Sequence, residues 1–229
     1  MKLIFIHGSG GTGADFHYQT RYFQDSEAVT LPGHPDGKAC KTLQGYVEWL
    51  RGYIHGKEYK DVVLAGHSMG GGIVLLYGFL YPEELKGLIS IGSGARLRVH
   101  PKYLAEHHDG ITNREAWDKL HRQQTYASDP AVHEKLLEQT LKVGPAVTYS
   151  DFMACDHFDL LDRVGEIKLP TLALCGTKDE MTPPLYSRYL GEHMPNAQTV
   201  IIDGASHSVM LERPQETNSA IEEFLKGLS

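Results

Sequence analysis

Cysteine is scarce in this 229-residue chain: Cys40, Cys155 and Cys175 are odd in number and far apart. That suits free thiols in a reducing compartment better than a disulfide framework, so a cytoplasmic location is expected, each thiol serving as a small apolar side chain. Positive charge is in deficit as well. Lys and Arg total 22 against 29 Asp and Glu, a net charge of −7, which leaves no basic face for nucleic acid or an anionic membrane and no like-charge run to act as a tail. Long apolar runs are missing. The opening stretch Met1–Ile6 breaks at His7, too short for a signal peptide, and nothing approaches the length of a membrane span. Repeats and low-complexity tracts are lacking too, and the length suits one α/β domain with an insertion.

What is present alternates strand with helix, as a parallel sheet requires. Strands are expected over 2–6, 28–31, 61–65 and 86–91, and helices over 16–23, 43–54 and 69–80. Strands resume at Thr171 and Thr199, with helices over 184–192 and 215–226. From about 95 to 166 no period-two apolar run occurs. Helix-like stretches at 114–126, 130–142, 146–155 and 156–164, joined by Asp129-Pro130 and Gly144-Pro145, predict a helical lid inserted over the sheet.

The most telling motif is Gly66-His67-Ser68-Met69-Gly70, placed between the apolar run 62–65 and the helix that follows. A serine on a glycine-flanked strand-to-helix turn is a nucleophile elbow, whose neighbours must be small because strand and helix nearly touch there. A serine hydroxyl needs a general base, and the base needs an acid to fix its tautomer. Asp179, just beyond the strand at 171–175, is the expected acid, with Glu180 and Asp203 as rival carboxylates. His207, in the small-residue loop after the strand at 199–202, is the expected base. The chain order serine, acid, histidine differs from the chymotrypsin and subtilisin orders and agrees with that of the α/β-hydrolases. After strand 2–6 comes His7-Gly8-Ser9-Gly10-Gly11, expected to supply one oxyanion N–H from Ser9, or failing that Gly10, while Met69 supplies the other.

His7-Gly8, Leu31-Pro32-Gly33-His34, the 66–71 elbow, 176–183, and Ala205-Ser206-His207 followed by Glu212-Arg213-Pro214 together make the chain similar to the α/β-hydrolase superfamily, in its lid-bearing esterase and carbon-carbon hydrolase branch. The resemblance implies an α/β-hydrolase fold with a mostly parallel sheet of about six strands flanked by helices. The core would be 1–94 and 167–229, with 95–166 as the lid. It implies a serine hydrolase acting on a small-molecule carboxylic ester through an acyl-enzyme, with carbon-carbon cleavage of a diketone as the alternative chemistry and a non-catalytic ligand receptor as the alternative role. The sequence departs from its relatives at Pro35-Asp36-Gly37, where a small residue and a serine are usual.

No cofactor or metal is expected. Gly8 to Gly13 also spells a dinucleotide fingerprint, but the second strand ends in Leu31-Pro32-Gly33 rather than at an acidic residue. His107-His108-Asp109 places adjacent imidazoles in different directions, a poor start for a metal site. In the lid, Trp117, Tyr126, Tyr149, Phe152 and Met153 offer apolar surface for a substrate or for packing. Arg96 and Arg98 would either hold a substrate carboxylate or serve structure.

Overall fold

The computed structural model describes residues 1–124 and 126–228. Six strands, β1 (Lys2–Ile6), β2 (Ser26–Val29), β3 (Val62–His67), β4 (Leu85–Ile91), β5 (Thr171–Gly176) and β6 (Ala197–Ile202), form one sheet in the order β2-β1-β3-β4-β5-β6, every neighbouring pair parallel. Among the described residues nine α-helices run between and after them: α1 (His17–Tyr22), α2 (Leu43–Gly56), α3 (Met69–Leu80), α4 (Pro101–Thr112), α5 (Arg114–His121), α6 (Pro130–Asp156), α7 (Pro184–His193), α8 (Val209–Glu212) and α9 (Pro214–Lys226).

The period-two pattern of the strands sorts side chains between two cores. Ile4, Ile6 and Leu64 face α2 and α3 in one, while Leu3, Phe5, Val63 and Ala65 meet Phe16 and the Ile221 and Phe224 of α9 in the other. All these strand residues are buried on both faces, as expected for a parallel sheet. From β1 the chain steps outward to β2 and then returns past β1 to β3, so the strand order reverses between β1 and β3. Ligands of open α/β sheets bind beyond the strand C-termini at such a reversal. The loops that leave β1 and β3 there carry Ser9 and Ser68.

The insertion between β4 and β5 consists of α4, α5 and α6. α6 breaks at Gly144 (φ 78°, ψ 174°), a region open essentially to glycine, directly before Pro145. The insertion departs from the expected pattern in three places. A helix over 156–164 does not form: α6 ends at Asp156, whose Oδ1 accepts the Val99 N–H at 2.9 Å, and Leu160 N–H donates to Ala95 O at 2.7 Å. The returning chain spends its backbone groups on the 95–99 segment instead of on a helical turn. α4 was not expected. It starts at Pro101 behind a His100 cap and buries only His107 and Gly110, so it shows no apolar stripe to read. The expected helix over 114–126 ends at His121, and its residue 125 lies outside the described residues.

One buried carboxylate ties the insertion to the sheet. Asp151 of α6, with no exposed surface, accepts hydrogen bonds from Gly10 N (2.9 Å), Tyr46 Oη (2.8 Å) and, on the same oxygen as Gly10, lies 2.8 Å from His34 Nε2. The loop after β1, the segment after β2, helix α2 and the insertion thus meet at one side chain. Removing it strands several buried polar groups at once, each of which costs free energy when unpaired. Asp151→Ala should lower unfolding free energy by about 3–5 kcal/mol, as removal of one partner from a buried pair does; a urea-denaturation change below about 1 kcal/mol contradicts this role.

Candidate active site

Ser68 sits at the turn between β3 and α3 with φ 52° and ψ −115°, a positive-φ geometry that a non-glycine residue holds only under strain. The turn is as tight as the motif requires. A Cβ on Gly66 would stand 2.1 Å from Gly70 O, and one on Gly70 would stand 2.2 Å from Ile6 O. Ser68 is fixed from outside by its N–H donating to Ile91 O at 2.9 Å and by Ser93 Oγ donating to its carbonyl at 2.8 Å. Its side chain makes no cap bond to α3. Among the described residues neither Ser68 Oγ nor the N–H of Met69 or Ser9 has a hydrogen-bond partner.

Asp179, buried at the end of β5, holds His207. Its carboxylate oxygens lie 2.9 and 3.0 Å from His207 Nδ1, which therefore carries the ring proton on that side. The carboxylate also accepts the N–H groups of Met181 (3.0 Å) and Thr182 (2.9 Å) and the Thr182 hydroxyl (2.8 Å). Burial pushes the Asp179 carboxyl up, but the His207 and Thr182 bonds outweigh it and hold it below its ordinary range. The rival carboxylates stand elsewhere: Glu180 is exposed, and Asp203 accepts the Thr177 hydroxyl.

Two further groups steady this loop and a third steadies the loop after β1; the sequence shows all three within its motifs, but with no role assigned to them. Glu212 accepts from Ser206 N (2.7 Å), Ser206 Oγ and Ser208 N (3.1 Å), on either side of His207. His67 donates Nε2–H to His207 O at 3.0 Å, linking the residue before Ser68 to the backbone of the histidine. His7 accepts the Leu31 N–H at Nε2 (3.0 Å) and donates Nδ1–H to Gly8 O (2.8 Å), which fixes its neutral tautomer and the path of the loop carrying Ser9. Gly10, the second oxyanion candidate, already donates to Asp151. Cys155, its thiol pushed up to about 12 mainly by burial, packs 3.7 Å behind the Ser9 hydroxyl. All three cysteines are free.

Ser68 and His207 line one cavity of about 230 Å³, together with Ser9 and the inner faces of α4 and α6. A smaller cavity of about 100 Å³ shares Ser68 and Ser9 but not His207. Tyr103, Phe152 and Met181 belong to both walls as well. Of the expected apolar lid residues, Phe152 and Tyr126 reach the cavities, whereas Trp117 is buried within the insertion. Arg96 and Arg98 lie 3.8 and 3.6 Å from Asp159, and Arg98 also lines the smaller cavity.

Comparison with known proteins decides the family. The model of the alpha/beta hydrolase family matches residues 3–220. The chain belongs to the alpha/beta hydrolase family. It is 32% identical to a thermophilic esterase of known structure, with a TM-score of 0.83 over 100% of this chain and 90% of that one. A lipase-esterase related protein from Clostridium acetobutylicum is 25% identical, with a TM-score of 0.82 over 97% of this chain and 93% of that one. By sequence, the (E)-2-((N-methylformamido)methylene)succinate hydrolase of Acinetobacter baylyi is 26% identical over 98% of this chain and 90% of its own length. Among the described residues no helix is long and apolar enough to cross a membrane.

The buried imidazoles make stability depend on pH. Burial, their largest cause, holds His7 and His67 down at about 3 and His107 at about 4, against an ordinary value of 6.5. Below pH 6.5 the unfolded chain therefore takes up protons that the folded protein refuses, and stability falls as the pH drops toward those values. Asp15 acts in the opposite sense, because burial raises its carboxyl from 3.8 to about 7. Three histidines outweigh one carboxyl. The urea midpoint should be lower at pH 5 than at pH 7; an equal or higher midpoint at pH 5 contradicts the assignment of these rings as buried and neutral.

Proposed function

We propose that this enzyme is a serine hydrolase that cleaves a small-molecule carboxylic ester through an acyl-enzyme. The observation that carries the reading is that Ser68 and His207 line one cavity while Asp179 holds the imidazole by its far nitrogen. His207 Nε2 takes the Ser68 proton as Oγ bonds to the ester carbonyl carbon, and Asp179 steadies the imidazolium. The carbonyl oxygen becomes an oxyanion received by the N–H groups of Ser9 and Met69, both free of other partners among the described residues. Collapse breaks the bond to the alcohol, which leaves with the proton from His207. Water then attacks the acyl carbon, His207 takes its proton, and the acid departs as Ser68 regains its hydrogen. In an empty site such hydrogen bonds are commonly loose and tighten only around substrate.

The 95–166 insertion acts as the lid in this reading, its helices closing the cavity above a core formed by 1–94 and 167–229. Likeness to the thermophilic esterase supports ester chemistry over carbon-carbon cleavage. A dicarboxylate such as the succinate named for the Acinetobacter relative finds no Lys or Arg in the wall of the larger cavity among the described residues.

Ser68→Ala and His207→Ala should each reduce kcat/KM on p-nitrophenyl butyrate by about 10⁴-fold or more, with an unchanged circular dichroism spectrum. Either variant retaining above about a tenth of wild-type activity would remove that residue from the mechanism.

A further inference from the structure

At the end of the larger cavity lies a polar cluster outside the triad. Glu106 and His107 of α4 and His121 of α5 bring one ligand atom each to within 4.8 Å of the others. Trp117, between them in space, dictates both imidazole tautomers. Its indole N–H can only donate and lies 2.8 Å from His107 Nδ1, so the His107 proton sits on Nε2. Its backbone carbonyl can only accept and lies 3.0 Å from His121 Nδ1, so His121 Nε2 is a bare acceptor. The Trp117 and His121 rings stack at 3.8 Å, which holds the arrangement in place. Burial lowers both rings, His107 to about 4, so both are neutral near pH 7. Among the described residues neither Nε2 atom nor the Glu106 carboxylate accepts or donates a hydrogen bond, although the Lys102 charge acts on Glu106.

A cation does not fit this set. His107 has one nitrogen taken by the Trp117 N–H and the other protonated, so it has no lone pair to give, and two ligands remain. An anion does not fit either, since Glu106 and Asp15 contribute the only ionisable acids and no Lys or Arg lines the wall among the described residues. What matches a fixed donor beside two acceptors is a group that both gives and receives hydrogen bonds without charge. A hydroxyl is such a group.

The two chambers assign its half of the ester. The leaving oxygen must take its proton from His207, and His207 lines the larger chamber only. The smaller chamber, whose wall carries Leu97, Val99 and Phe152 beside Arg98, His100 and Glu180, is left for the acyl chain. We propose that the substrate joins a short acid to a polyhydroxylated alcohol of the glycerol type, whose free hydroxyls lie against Glu106, His107 and His121. This assignment rests on the serine-hydrolase reading above.

The test compares kcat/KM for glyceryl 1-monobutyrate and n-propyl butyrate, which share the acyl group, with each preparation normalised to the fraction labelled at Ser68 by a fluorophosphonate. Wild type should favour the glyceryl ester by about tenfold or more, because the propyl ester leaves the cluster unpaired. His107→Phe and Glu106→Leu should each lower that ratio severalfold. Glu106 is half-buried and makes no hydrogen bond among the described residues, so its variant carries the test if His107→Phe fails to fold. A wild-type ratio near one, a ratio unaltered in the folded variants, or faster turnover of butyrylcholine than of the glyceryl ester overturns the assignment while leaving the hydrolase reading standing. Protein that is neither labelled nor active on any of these esters overturns the hydrolase reading itself.

Discussion

The site depends on how closely β3 and α3 approach at the turn between them. With room for no side chain at Gly66 or Gly70, the backbone has to reverse at Ser68 in a positive-φ conformation. Such a conformation costs on the order of 1–3 kcal/mol and survives only where its surroundings over-determine it. Here they do. β4 accepts the Ser68 N–H, Ser93 holds its carbonyl, and the carbonyl of Ile6 abuts Gly70. The same closeness brings the β1 loop alongside the elbow, so that Ser9 and Ser68 share two cavity walls. The sheet's reversal between β1 and β3 then sets where a substrate can enter.

Around that turn, neutral buried histidines act as spacers whose tautomers are set by partners able only to donate or only to accept. His7 shapes the β1 loop, His67 ties the elbow to the histidine loop, and His107 and His121 take opposite tautomers from one tryptophan. Asp151 closes the set by clamping the β1 loop from the insertion side. A single carboxylate thus couples the placement of the helices above the cavity to the path of the backbone that carries Ser9. Local changes in the insertion should therefore reach the chemistry through this contact rather than through the sheet.

Much of this was legible in the residues because the signals are local. Strand, glycine-flanked serine and helix follow one another without a gap, and the loops bearing Asp179 and His207 each come directly after a strand, so their position at the C-terminal edge follows from alternation alone. The sheet's six strands are found within a few residues of where the pattern put them. What could not be read depends on contacts between distant segments. Asp151 meets Gly10 across 141 positions, and its place in an amphipathic stretch gives no sign of burial. In the sequence His107 stands beside His108, whereas its companion in space is His121, one helix later and joined through Trp117. The 156–164 stretch had helical composition, but its backbone is claimed by Ala95 and Val99, which no window around it contains.

The central claim is that Ser68, the Ser9 and Met69 amides and His207 converge on one reacting carbon. A crystal structure of the protein inactivated by a butyl fluorophosphonate tests this most directly. Phosphorus should be bonded to Ser68 Oγ, with its anionic oxygen about 2.7–3.1 Å from both amide nitrogens and His207 Nε2 beside the remaining ester oxygen. Phosphorus on any other residue, or an oxygen turned away from Ser9 and Met69 into the open cavity, would contradict the account.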